Sequence, residues 1–87
     1  MKAVITVIGK DMVGILGKVS MTCAEANANV VEVTQSLMDE YFAMIMLVDI
    51  DQLNCSLEEM RKKISEAVPS MNVHVMHEDI FNSMHRI

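Results

Sequence analysis

Three glycines, Gly9, Gly14 and Gly17, are the only ones in the chain, and all lie in VIGKDMVGILGKVS, residues 7–20. The stretch joins an apolar run to a segment whose apolar residues recur at helical spacing. A glycine turn entering a helix suits an anion: the first helical N–H groups are unpaired, the helix dipole is positive there, and a residue without Cβ lets a ligand reach the backbone. A phosphate loop needs lysine and then Ser or Thr after its second spaced glycine. Gly9 and Gly14 have that spacing, but Ile15 stands at the lysine position, and Gly17-Lys18 is followed by Val19. The dinucleotide pattern fails too, because Gly9 and Gly14 lie too far apart. Two readings remain. The turn is a seat for one carboxylate, such as that of a free amino acid, or it is a bend with no ligand.

Other reactive side chains form no catalytic set. His74 and His77 are three apart in an extended segment, so they point to opposite faces. A metal site from His77, Glu78, Asp79 and His85 would need the tail to fold back; solvated tail residues are the simpler reading. Cys23 and Cys55 sit in no recognisable activating setting and make no CxxC pair. They are expected to be buried thiols of a cytoplasmic protein. Asp49 and Asp51 read as strand termination. No catalysis, no metal and no cofactor are expected.

The 87 residues suit a single domain, residues 1–87, with a core over 1–77 and a tail over 78–87. The net charge of −5 disfavours nucleic acid. The one basic cluster, Arg61-Lys62-Lys63, is set among Glu58, Glu59 and Glu66 and reads as a solvated helix face. No apolar stretch reaches the ~20 residues of a membrane span, and the opening Met1-Lys2-Ala3-Val4 leaves no room for a signal sequence before the first strand. With 52% hydrophobic residues in so short a chain, some apolar surface is expected to be buried against another subunit. The 10 methionines read first as adaptable core filler.

Periodicity gives the elements. Lys2–Ile8 reads as a central strand ending at Gly9. Asp11 is a plausible cap for a helix carrying Ile15, Val19, Thr22, Cys23 and Ala26 on one face, ended by Asn27 and Asn29. Asn29–Met38 alternates, with Val31, Val33, Gln35 and Leu37 on one side and Glu32, Thr34 and Ser36 on the other. After an Asp39-Glu40 turn, Tyr41–Ile50 reads as a strand covered on both faces. Ser56 and Glu59 form a capping box for a helix whose buried stripe is Leu57, Met60, Ile64 and Ala67, stopped at Pro69. Met71–His77 is the last strand, and the tail places Ile80, Met84 and Ile87 on one face of a short helix. The order predicts an α+β, ferredoxin-like βαββαβ fold: an antiparallel four-stranded sheet with two helices on one face and a short tail helix. The tail or a second chain would then cover the other face.

The segment VIGKDMVGILGKVSMTCAEANANVVEV resembles the opening half of an ACT domain. The family's strand, D-x-x-G-I-L turn, helix and Asn-led apolar strand are matched by Asp11, Gly14, Ile15 and Leu16, then Asn29 and Val30. The remainder resembles the small free-standing single-ACT proteins of bacteria and archaea, related to the ACT modules of the glycine-cleavage repressor group. The resemblance implies a homodimer or higher homo-oligomer that binds an amino acid or similar small carboxylate. The implied site joins Asp11, Met12, Val13, Gly14, Ile15 and Leu16 of one chain to Asn29 and Val30 of its neighbour. Gly14 and Ile15 N–H groups would hold the carboxylate, Asp11 or Asn29 would take the ammonium, and Met12 and Val13 would wall the side chain. The competing reading is a ligand-free interaction module docking on a protein target.

Overall fold

The computed structural model describes residues 1–11 and 13–84. In chain order they form β1 (Lys2–Gly9), α1 (Ile15–Glu25), β2 (Asn29–Met38), β3 (Tyr41–Asp49), α2 (Leu57–Ala67), β4 (Asn72–His77) and α3 (Glu78–Met84). The strands make one antiparallel sheet in the order β2-β3-β1-β4. This is the predicted ferredoxin-like βαββαβ plan with its extra C-terminal helix.

Ladder partners share a face of the sheet. Ala3, Ile5 and Val7 therefore stand beside Val48, Met46 and Met44 on one side and, for Ile5 and Val7, Val75 and Val73 on the other. That face packs on Ile15, Val19 and Cys23 of α1 and on Met60 and Ile64 of α2, forming the core. Met44, Met46 and Met60 are fully buried, as core filler should be.

Two helix signals behave as the residues demand. Ser56 Oγ accepts from Glu59 N (3.1 Å) while Glu59 Oε1 accepts from Ser56 N (3.4 Å), which closes the capping box. At the end of α1, Asn27 takes the left-handed conformation with φ 61°, and Ala28 N donates back to Cys23 O at 2.8 Å.

The structure departs from the sequence reading at four places. Asp11 does not cap α1: the N-cap is Gly14, with no side-chain cap, and Asp11 Oδ1 instead accepts from Val13 N at 3.3 Å. A β-bulge between Val30 and Glu32 breaks the alternation of β2. Val30 and Val33 pack against the core, and Val31 is left half exposed. On β3, Phe42, Met44, Met46 and Val48 are buried but Tyr41 and Ile45 are not, so only one face is fully covered.

The fourth departure is the tail. It does fold over the open face, where α3 lies against β1 and β4. Val4, on the side opposite α1 and α2, is consequently buried. The residue turned inward is Phe81, whereas Ile80 and Met84 are 56% and 64% exposed. β4 runs into α3 without a loop, so the strand's exit fixes the phase of the helix. Ile87 lies outside the described residues.

Candidate small-ligand site

Each glycine of the first turn has its own local circumstance. A Cβ on Gly9 would stand 2.5 Å from Met71 Sδ and 3.2 Å from Ser70 O, so the close approach of the turn before β4 requires its absence. Gly14 has φ 72°, a conformation that side chains disfavour. Gly17 has nothing within 4 Å of a built Cβ and faces open space on α1.

The turn is held at both sides. Asp11 Oδ2 accepts from Ser70 Oγ at 3.5 Å. Lys10 Nζ lies 3.1 Å from Glu40 Oε1 and 5.6 Å from the centre of the Tyr41 ring. Residues 10 and 11 thus tie the start of the turn to the β2–β3 turn on one side and the α2–β4 turn on the other. Its backbone conformation starts α1 without a side-chain cap, which leaves the first N–H groups of the helix to another acceptor. Ile15 itself is buried, so only its backbone N–H can serve a ligand; Val13 is 82% exposed and Leu16 is also exposed. Met12 lies outside the described residues.

Sequence reasoning overlooked Lys18. Its N–H donates to Gly14 O at 3.0 Å, and its Cε would lie 3.8 Å from a Cβ on Gly14. A shallow groove of about 520 Å³ opens here along α1, lined in part by Gly14, Gly17, Lys18 and Met21. An ammonium one helical turn beyond an uncapped helix start strengthens the case for a carboxylate. The signal was available in the sequence as a lysine four residues after the turn glycine.

Asn29 and Val30 stand elsewhere. Asn29 pairs with Asp49 of β3, which also pairs with Lys2; at the other end of the same ladder, Gly9 pairs with Phe42. The two predicted half-sites therefore lie at opposite ends of the sheet, separated by α1, whose 11 residues span about 16 Å. Within one chain they do not meet. Asn29 and Val30 line a second open groove, of about 460 Å³, with Ser20, Ala24 and Gln52. Val30 also packs against the core, which leaves Asn29 as the more exposed of the pair.

The remaining chemistry is sparse. His74 and His77 do face opposite sides of the sheet, beside Thr6 and Ala3 respectively. His77 Nδ1 accepts from Asp79 N at 3.2 Å, and His85 lies outside the described residues. Among the described residues, no three His, Cys, Asp or Glu side chains group as metal ligands, and no helix is long and apolar enough to cross a membrane. Burial pushes the Cys23 thiol up to about 11, so it is held as an inert thiol near neutrality.

Comparison with known proteins agrees with this geometry. The ACT domain family model matches residues 2–78. A UPF0237 protein of Clostridium perfringens is 51% identical over 90 residues, covering 100% of both chains. The solved ACT domain protein from Streptococcus pneumoniae is 32% identical with a TM-score of 0.79, covering 93% of each chain. The regulatory subunit of aspartate kinase from Thermus thermophilus shares the fold, with a TM-score of 0.64 at 22% identity over 85% of this chain and 49% of that one. With its strand order, its left-handed glycine before α1 and a match running from the first strand into the last helix, the chain belongs to the ACT domain family.

Proposed function

We propose that this chain is a regulatory module that binds a free amino acid, or a similar small carboxylate, between two copies of itself and performs no catalysis. The observation that carries the reading is the uncapped start of α1 at Gly14, with Lys18 over it. Backbone N–H groups of Ile15 and Leu16 would hold the carboxylate, and the Lys18 ammonium would add to the attraction. The ligand's ammonium would go to Asn29 of a neighbouring chain, because Asn29 lies too far along α1 to serve its own turn. A homodimer is further supported by the outer edge of β2, which among the described residues pairs with β3 alone, and by the exposed Leu16, Met21 and Leu37.

Calorimetric titration of the purified chain with each common amino acid tests the ligand, and sedimentation at micromolar concentration tests the dimer. Heat and a thermal shift with at least one amino acid are expected. No response to any of them would leave the second reading, an interaction module for a protein target, which the exposed Ile80 and Met84 on α3 favour.

A further inference from the structure

Another cavity lies on the other side of the sheet, under α3, with a volume of about 240 Å³. Its floor is apolar: Val4 of β1 beside Leu47 of β3, with Ile45 in the next open-face row of that strand. Phe81 of α3 lines it as well. Into this setting come two carboxylates, Glu32 from β2 and Glu78 from the start of α3, and no lysine or arginine lines it among the described residues.

The placement of Glu32 is not incidental to the strand. The bulge at Val31 re-aims the chain so that Glu32, directly after it, pairs with Leu47 and stands on the open face beside the apolar floor. The Met1 ammonium is held by Asp51 Oδ1 at 2.7 Å and also feels the charge of Glu78 from outside the cavity lining. A carboxylate beside buried hydrocarbon attracts a cation whose apolar part can cover that hydrocarbon.

We infer that the cavity under α3 binds a small organic cation, a primary ammonium carrying a short apolar chain, with its hydrocarbon on Val4, Ile45 and Leu47 and its charge on Glu32 and Glu78. This site is distinct from the one at Gly14. That one takes a carboxylate; here a carboxylate on the ligand would be repelled by both glutamates.

The test uses methyl-resolved NMR of the whole chain titrated with n-butylamine, which is a cation at pH 7, with butan-1-ol and norvaline as matched probes. Butylammonium should shift the Val4, Ile45 and Leu47 methyl signals in a saturable way, while butan-1-ol binds at least about tenfold more weakly. Glu32→Gln and Glu78→Gln should each weaken butylammonium roughly fivefold, with an otherwise unchanged methyl spectrum showing that each variant is folded. Norvaline should leave these three residues unmoved, whatever it does at residues 13–18. Equal binding of butan-1-ol, indifference to both substitutions, or shifts confined to residues 13–18 would each overturn the inference.

Discussion

Gly9 and Met71 are packed so closely that any side chain on residue 9 would collide with the thioether sulfur. Met71 is itself buried, so its thioether has little room to swing aside, and Ser70 O at 3.2 Å makes a second tight contact. Gly9→Ala should therefore destabilise the fold by about 1–3 kcal/mol, as overpacking does. Gly17→Ala meets nothing and sits inside a helix, so it should stabilise the isolated chain by up to ~1 kcal/mol. Denaturant unfolding of the two variants checks both signs. An equal effect at the two glycines would refute this division of labour.

Gly14 poses a conformational question, since a Cβ there meets nothing closer than Lys18 Cε at 3.8 Å. Its φ of 72° makes Gly14→Val costly, by at least ~1–2 kcal/mol. Gly14→Asn should be tolerated far better, because asparagine visits that conformation. The asparagine variant thus separates folding from binding: a near-normal melting temperature with lost amino-acid affinity supports the carboxylate seat. Unchanged affinity would return the turn to a plain bend. Asn29→Ala should weaken the same ligand by about 0.5–1.5 kcal/mol, the worth of one uncharged hydrogen bond.

Removing the Ser56 hydroxyl leaves Glu59 N without its acceptor and opens one half of the reciprocal cap. Ser56→Ala should lower stability by about 1 kcal/mol. Ser56→Asp should recover most of that loss, since aspartate caps a helix start well. A melting series of the three chains decides it.

Burial of Cys23 holds its thiol protonated to about pH 11, above the ordinary thiol value near 9. The sign follows from linkage. Below pH 9 folded and unfolded chains both keep the proton and stability is unaffected. Between pH 9 and 11 only the unfolded chain releases it, so stability falls as pH rises, by at most about 1.4 kcal/mol per pH unit. Cys23→Ala should flatten this slope although it lowers stability overall. Thiol alkylation at pH 8 should reach the less buried Cys55 well before Cys23.

Much of the fold was legible because local signals and burial agreed. The β-branched run of β1, the Ser56–Glu59 box and Asn27 each specify their own geometry within a few residues. The misses share a different cause. A bulge at Val31 depends on how β2 meets β3, not on the composition of β2, and an alternating pattern cannot register one inserted residue. The inward turn of Phe81 depends on the angle at which β4 ends. Asp11 and Gly14 competed for the cap, and the left-handed backbone at Gly14 settled it. At the site, the turn was visible as glycine spacing, whereas the distance from Gly14 to Asn29 required the sheet register.

The eleven residues of α1 act as a spacer that no side chain of this chain can bridge between the turn and Asn29. A site assembled from both ends is then owned by pairs of chains, and a two-fold pair would carry two. Two defective chains could in that case repair one another. In a mixed dimer of Gly14→Asn with Asn29→Ala, one site would collect both lesions and the other would collect neither. Dilution below the assembly concentration would silence a fully folded protein, and ligand would draw the chains together by the same linkage.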